Sequence, residues 1–339
     1  MLLYRDALNR IQRDLGALNA NKNGQNLLVA VTGYVASGKS RFCSELLSYA
    51  EASLGRSFSY LPFDLWINVD NLNAAEYTQK FFLDDFRKMV WCINQGKIFM
   101  VPRYDIVKIG AVSRGHRCYR TAGELVWNGK LFGRIDEPIE TSPLPGTSGL
   151  YIEQGSGYPY NLFPATSGTP FLLDGTMVVP SEVSQLYDLK VFVQASWTMR
   201  VARMIRRFNR REVFGTTTTA MRDYIDFLVA EARECADNEI QQQLDNEFVI
   251  VESVPETLST YLDLAFLLSL LEQPNPPDWV SRDEVERAMT EFRLFVKEQA
   301  DEETARAYKQ ELATLAEAQH LLALPNVKGM LAELASIFQ

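Results

Sequence analysis

Cysteine is scarce in this chain of 339 residues, and its scarcity excludes some kinds of site. The four cysteines lie far apart and form no CxxC pair, so free thiols are the simplest interpretation and a zinc site is not expected. They are Cys43, Cys92, Cys118 and Cys235.

The chain also lacks an excess of positive charge and a long hydrophobic run. Its net charge of −9 argues against a general nucleic-acid coat, because neutralising phosphates needs a basic surface. The longest strongly apolar run, residues 261–271, is too short to span a bilayer and contains Asp263. Residues 1–14 mix charged with apolar residues and do not form the apolar core of a secretory signal. We therefore expect a soluble, cytoplasmic protein that makes no use of a membrane.

What the chain does contain is a regular alternation of strand and helix patterns. Strands are predicted at 27–32, 58–63, 97–102, 169–175, 188–195 and 247–253. Helical patterns at 1–20, 39–54, 74–95 and after 195 lie between them. This alternation predicts an α/β fold with a doubly wound parallel sheet.

Two segments depart from the alternation. Residues 110–170 hold ten of the 19 glycines and six of the 14 prolines, and Asn128-Gly129 between apolar runs is a hairpin signal. We predict a β-rich insertion at about 110–168. After a proline-rich break, Ser281 and Glu284 form a capping-box pattern that begins a helical C-terminal module, residues 279–339. Its helices suit either a homodimer contact or a partner-binding surface.

Residues 29–42, VAVTGYVASGKSRF, contain the most specific motif of the chain. Gly33, four further residues and Gly38-Lys39-Ser40 match a P-loop, in which backbone N–H groups surround phosphate oxygens. Lys39 would reach the β- and γ-phosphates, and Ser40 would bind Mg²⁺. The preceding strand and the following helix are the required context. We therefore predict a P-loop NTPase-type domain at 25–272, preceded by an N-terminal helix at 1–24.

The nucleotide-binding residues that this motif predicts are Gly33, Ala36, Ser37, Gly38, Lys39, Ser40 and Arg41. Two acids follow other predicted strands, where sites of open α/β sheets lie. Asp64 could act as a base beside an acceptor hydroxyl, or it could be a helix N-cap or a loop acid. Asp174 could hold Mg²⁺, or it could be a turn-forming residue before Gly175.

A helix after residue 195 carries six arginines and no lysine. Arginine forks suit phosphate oxygens, so this helix is predicted to act as a phosphate-facing lid. The alternative is a solvated basic face on an amphipathic helix. Arg200, Arg203, Arg207 and Arg210 or Arg211 share one face at spacings of three and four, and the spacing does not tell which of them contact phosphate.

The order of these motifs resembles the uridine kinase and phosphoribulokinase group of P-loop kinases, which includes bacterial type pantothenate kinases. The resemblance covers about 25–110 and 169–253 and is most specific at the P-loop, at "VPRYD" (101–105) and in the arginine-rich block. It implies ATP and Mg²⁺ as cofactors. It also implies that Asp64 activates the acceptor hydroxyl, that Asp174 holds Mg²⁺ through water, and that the acceptor contacts Asp70, Tyr104 and Asp105. The arginine lid of that group corresponds to Arg203 and Arg207, which would act in catalysis together with Lys39, and to Arg210 and Arg211, which would bind the nucleotide.

The chain departs from that group in two places. Uridine kinases usually carry Glu at the position of Asp174, and they carry a base-reading His where this chain has Ile109. The insertion follows directly and holds aromatic and arginine side chains, among them Trp127 and Arg120, that could stack on an acceptor or simply pack a small β subdomain.

The sequence therefore predicts an ATP-dependent kinase that phosphorylates a hydroxyl of a nucleoside-like or vitamin-like small molecule. One alternative is a larger acceptor, such as a hydroxymethylated base in DNA, although nucleic acid is not the favoured partner. Another alternative is a P-loop nucleotide switch without an acceptor, which would have no need of a base at Asp64.

Overall fold

The structure is a computed structural model of the chain. It describes residues 2–21, 26–54, 58–66, 76–81, 83–95, 98–102, 124–127, 130–134, 150–152, 160–164, 170–209, 218–233, 237–244, 247–253 and 258–299. Within these ranges, no helix has the length and apolarity that crossing a bilayer requires.

Six described strands, which lie between residues 2 and 252, form a parallel sheet. The strands are β1 (Leu2–Leu3), β2 (Leu27–Gly33), β3 (Ser59–Pro62), β9 (Pro170–Asp174), β10 (Leu189–Gln194) and β11 (Val249–Glu252). Their order across the sheet is β1-β11-β10-β2-β9-β3, and every neighbouring pair is parallel. After β2 the chain builds toward β3 and β9, and then crosses to β10 and β11 on the other side of β2. Ligand sites of such sheets lie where this direction reverses, at the carboxyl end of the strands.

Both faces of the sheet are buried, which explains the continuous apolar runs of its strands. On one face, Val29 and Val31 of β2 pack with apolar side chains of α1 (Tyr4–Asn21) and α2 (Lys39–Leu54). On the other face, Leu28 and Ala30 pack with side chains of α3 (Leu83–Asn94) and α6 (Asp237–Gln242). The predicted doubly wound α/β sheet is therefore confirmed.

One predicted strand of the sheet belongs elsewhere. The stretch predicted at 97–102 forms β4 (Ile98–Pro102), but β4 pairs antiparallel with β8 (Tyr160–Pro164), and β8 pairs with β7 (Leu150–Ile152). The expectation that β4 lies in the parallel sheet is wrong, because an apolar strand pattern does not specify which strand it pairs with. The segment that departs from the sheet thus begins before residue 110.

The predicted hairpin around Asn128-Gly129 agrees with the pairing that flanks it. Strands β5 (Glu124–Trp127) and β6 (Lys130–Arg134) pair antiparallel, with Trp127 opposite Lys130. A two-residue connection of the Asn-Gly type suits the twist of such a pair.

The chain divides into two compact units. The sheet belongs to a unit of residues 1–194 and 232–252, and a helical unit comprises 195–231 and 253–339. The described helices of the helical unit are α4 (Trp197–Asn209), α5 (Thr218–Glu231), α7 (Leu258–Leu271) and α8 (Arg282–Gln299). The domain boundaries expected from the sequence remain a prediction.

The capping box at the start of α8 is confirmed. The backbone N–H of Ser281 donates to Glu284 Oε2 at 2.8 Å, and the backbone N–H of Glu284 donates to Ser281 Oγ at 3.3 Å. These reciprocal bonds satisfy two N–H groups that a helix start leaves without partners. The rest of the predicted helical module, residues 300–339, lies outside the described residues.

Candidate functional site

The loop between β2 and α2 has an unusual backbone. Gly33, Ala36 and Gly38 have positive φ angles of 147°, 60° and 106°. Alternation of positive and negative φ turns successive N–H groups toward one concave side, which is a common anion-binding geometry. A left-handed conformation at a non-glycine residue costs about 1–2 kcal/mol, so the strain at Ala36 needs support from the surrounding loop. Such strained loops are concentrated at functional sites.

Glycine is required at position 33 for a second reason. A Cβ atom there would lie 2.0 Å from the carbonyl oxygen of Val193, its partner on β10. The adjacent turn is closed by the N–H of Ser37, which donates to the carbonyl oxygen of Tyr34 at 3.1 Å. The loop thus begins close against β10 at the carboxyl end of the sheet, and the Ser37–Tyr34 hydrogen bond closes its first turn.

Lys39 lies at the first position of α2, and its ammonium bridges the loop. Its Nζ donates to the carbonyl oxygens of Gly33 at 3.0 Å and Tyr34 at 2.8 Å. The lysine is thus held against the loop at the start of α2, where it adds positive charge to the N-terminal end of the helix dipole. Arg41 is exposed and pairs with Glu45 along the helix at 3.0 Å, so its predicted nucleotide contact stays a prediction.

Ser40 and Asp174 meet at the carboxyl end of the sheet, as their predicted shared role requires. Ser40 Oγ donates to Asp174 Oδ2 at 3.2 Å. The same Oδ2 accepts a hydrogen bond from the phenol of Tyr60 at 2.7 Å. Asp174 is 5% exposed, and its other oxygen, Oδ1, is buried and has no hydrogen-bond partner.

This arrangement fits a Mg²⁺ ion. Leaving a buried carboxylate oxygen without a partner is unfavourable, and a cation would satisfy it. Mg²⁺ usually binds through one or two side-chain oxygens together with substrate phosphates and water. Among the described residues there is no group of three or more His, Cys, Asp or Glu side chains that could hold a metal by themselves. Asp174 and Ser40 would supply protein oxygens to the ion.

The charges of this site also affect a buried cysteine one helical turn beyond Lys39. Burial raises the pKa of Cys43 well above its ordinary value, and the nearby charge of Asp174 raises it further, against a smaller opposite effect of Lys39. The Cys43 thiol therefore stays protonated at neutral pH and is a packing residue rather than a nucleophile.

The backbone of Asp64 lies close to the same end of the sheet. Asp64 is in a short 3-10 helix, Phe63–Trp66, directly after β3, and Pro62 is opposite Asp174 in the sheet. A Cβ at position 175 would lie 2.2 Å from Cβ of Phe63, so Gly175 permits the chain after Asp174 to approach this helix closely. The Asp64 side chain lies outside the described residues, and its catalytic role stays a prediction.

The arginine helix, α4, makes several contacts within the helical unit. Arg203 donates through Nη2 to Ser253 Oγ at 2.9 Å, and Arg206 Nη1 lies 3.7 Å from Asp263 Oδ2. Arg200 is buried, with its guanidinium carbon 4.9 Å from the ring centre of Trp197. A wholly solvated basic face therefore does not describe this helix. The phosphate role of Arg203 stays a prediction.

The remaining predicted site residues lie outside what the structure describes. This holds for the side chain of Arg207 and for the residues Asp70, Tyr104, Asp105, Arg210 and Arg211. Sequence reasoning missed Tyr60, because its contact with Asp174 follows from the pairing of β3 with β9, and the sequence does not specify that pairing.

The chain matches no protein-family model. It also matches no curated protein. Among solved structures it is similar to a candidate fructose transport system kinase from Silicibacter sp., with a TM-score of 0.45 and 12% identity over 71% of this chain and 97% of that chain. A candidate uridine kinase from Bacillus stearothermophilus has a TM-score of 0.38 and 11% identity, over 74% of this chain and 98% of that chain.

A D-glycerate 3-kinase from Cryptococcus neoformans has a TM-score of 0.41 and 13% identity, over 72% of this chain and 95% of that chain. All three proteins are named as kinases, and one name matches the group that the sequence resembles. With TM-scores below 0.5, these likenesses carry no argument about the substrate or the site residues.

Proposed function

We propose that this protein is an ATP- and Mg²⁺-dependent kinase that transfers the γ-phosphate to a hydroxyl of a small molecule, of a nucleoside-like or vitamin-like kind. The observation that carries the proposal is the Ser40–Asp174 pair, which lies beside a strained glycine loop and presents a buried carboxylate oxygen without a partner. An anion cradle and a cation site side by side suit a nucleotide phosphate with its Mg²⁺.

On the nucleotide side, the loop from Gly33 to Ser40 binds the phosphates through backbone N–H groups, and Lys39 adds a positive charge. Mg²⁺, when bound, neutralises charge that develops on the phosphates during transfer. Asp174 and Ser40 would hold it. The Lys39 ammonium already lies against the loop carbonyls, so little reorganisation is needed for it to turn to a phosphate.

On the acceptor side, Asp64 takes the proton of the attacking hydroxyl or orients that hydroxyl. Its backbone position two residues after Pro62, the partner of Asp174, supports this role because the base and the metal site need to be close together. Asp70, Tyr104 and Asp105 are proposed to bind the acceptor, and Arg203, Arg207, Arg210 and Arg211 to contact phosphate, on the grounds of sequence alone.

A screen of hydroxyl acceptors with γ-labelled ATP and Mg²⁺ tests this proposal. The panel contains nucleosides, pantothenate, D-glycerate, fructose, sugar phosphates and DNA with hydroxymethylated bases. We expect transfer to one small-molecule class in the wild type, and a loss of about 10²-fold or more in Asp64→Asn. Transfer to the modified DNA alone would replace the proposed acceptor class with a polymeric one. Tight ATP binding without transfer to any acceptor would instead favour a nucleotide switch.

A further inference from the structure

Tyr60 lies where it can act on the metal-site carboxylate. It is opposite Leu172 in the pairing of β3 with β9, and Asp174 is two residues beyond Leu172 on the same face of the sheet. Such diagonal neighbours are within reach of a long aromatic side chain. The phenol of Tyr60 donates to Asp174 Oδ2 at 2.7 Å, a shorter bond than the 3.2 Å bond from Ser40 to the same oxygen.

Both donors are on one oxygen of the carboxylate, and this divides its two oxygens into different roles. Oδ2 accepts from Ser40 and Tyr60, whereas Oδ1 accepts from no group and is buried. The tyrosine bond restricts rotation of the carboxylate about its Cβ–Cγ bond. Without it, Oδ2 would keep only the longer bond from Ser40, a side chain that is itself expected to bind the metal.

We propose that Tyr60 is a positioning residue, whose phenol holds the Asp174 carboxylate so that Oδ1 is presented to Mg²⁺. This inference rests on the proposed function, and it adds to the candidate site a residue that belongs to no sequence motif. Groups that hydrogen-bond to a metal ligand typically change metal affinity by about 10–100-fold when they are removed. Because Ser40 still donates to the same oxygen, we expect the lower end of that range for Tyr60.

The test measures how the affinity for a fluorescent, non-hydrolysable ATP analogue depends on Mg²⁺ concentration. Tyr60→Phe removes the phenol oxygen and keeps the ring. Tyr49→Phe is the matched control, since Tyr49 lies on α2 about 13 Å along the helix from Ser40, and its hydroxyl makes no hydrogen bond among the described residues. Urea unfolding without ligand shows whether each variant is folded. We expect the half-saturating Mg²⁺ concentration to rise by about 10-fold in Tyr60→Phe alone, with Mg²⁺-free affinity within about twofold of the wild type.

The outcomes separate this inference from the proposed function. If wild type and Tyr60→Phe share one half-saturating Mg²⁺ concentration, the positioning role is wrong and the kinase proposal stands. If Mg²⁺ leaves the wild-type affinity unchanged, the metal role of Asp174 and the role of Tyr60 both fall, while nucleotide binding by the loop stands. If the wild type binds no nucleotide, both the proposed function and this inference are wrong.

Discussion

Replacing Asp174 with Asn shows whether this residue binds Mg²⁺ or only forms a turn. The change preserves the shape of the side chain and removes its charge. In the wild type, Oδ1 is buried without a partner, which is unfavourable by about 1–3 kcal/mol or more for a charged group. In the variant the buried group is neutral, so the cost of leaving it without a partner becomes smaller. At the same time, the hydrogen bonds from Ser40 and Tyr60 lose their charge-assisted part, about 1 kcal/mol each. These terms oppose each other, so we expect the free energy of unfolding to change by no more than about 1 kcal/mol.

The increase in the free energy of unfolding that ligand binding causes should change much more than the free energy of unfolding itself. A ligand at 100 times its Kd raises the free energy of unfolding by about 2.7 kcal/mol. Removing a hydrogen-bond partner of a metal ligand weakens metal affinity by up to about 100-fold. Asp174 is proposed to hold Mg²⁺ itself, so its loss should weaken the affinity for the ATP analogue with Mg²⁺ by at least that factor. At the same concentration, the gain in the variant falls to RT ln 2, about 0.4 kcal/mol.

Urea unfolding with and without a non-hydrolysable ATP analogue and Mg²⁺ measures both effects on the same protein. The reasoning would be refuted if Asp174→Asn lost about 3 kcal/mol or more of stability yet kept the full response to the ligand. That result would make Asp174 a turn residue, which is the alternative that the sequence leaves open.

Three further predictions concern other parts of the chain. Asp64→Asn should lower turnover by about 10²-fold and keep ATP affinity within a few fold, as measured by steady-state kinetics, and a variant with normal turnover would show that another group handles the proton. Burial raises the pKa of Tyr187 well above its ordinary value of 10.0, and burial and Asp174 raise that of Cys43 above 9.0. The unfolded chain therefore loses these protons first, so the urea midpoint should fall as pH rises from about 8 to about 10.5, and a constant midpoint would contradict these shifts. Replacing the hairpin, residues 124–134, with a short linker should preserve ATP binding and lower transfer to the acceptor by about 10²-fold; unchanged transfer would make the hairpin irrelevant to the acceptor.

The sequence could predict the part of the fold that depends on local patterns. The continuous apolar run of β2, the helix that begins at Lys39 and the capping box at Ser281 are each determined by neighbouring residues, and all three are confirmed. It could not predict that β4 pairs with β8, because an apolar strand fits several partners equally well. For that reason the hairpin, rather than the whole predicted insertion, is the better target for replacement, since removing residues 110–168 would also remove β8, the partner strand of β4.

The candidate site divides in the same way. The glycine loop has a fixed spacing, so its residues could be named in advance, and Asp174 could be found because it ends an apolar strand. Tyr60 could not be found, since its contact depends on the pairing of β3 with β9 and on side-chain reach. Likewise, the pattern of arginines in α4 does not reveal that Arg200 is buried against Trp197.

The most direct test of the central claim is calorimetric titration of a non-hydrolysable ATP analogue with Mg²⁺ into the wild type and into Lys39→Ala. The Lys39 ammonium donates to two carbonyl oxygens of the loop between β2 and α2, and Lys39 belongs to neither apolar core, so the variant should stay folded, which urea unfolding checks. We predict saturable binding to the wild type and a loss of affinity of about 100-fold or more in the variant, because a charge-assisted contact to phosphate in a preorganised site is removed. Equal affinity in the two proteins, or no binding to the wild type, would contradict the assignment of this loop to a nucleotide phosphate.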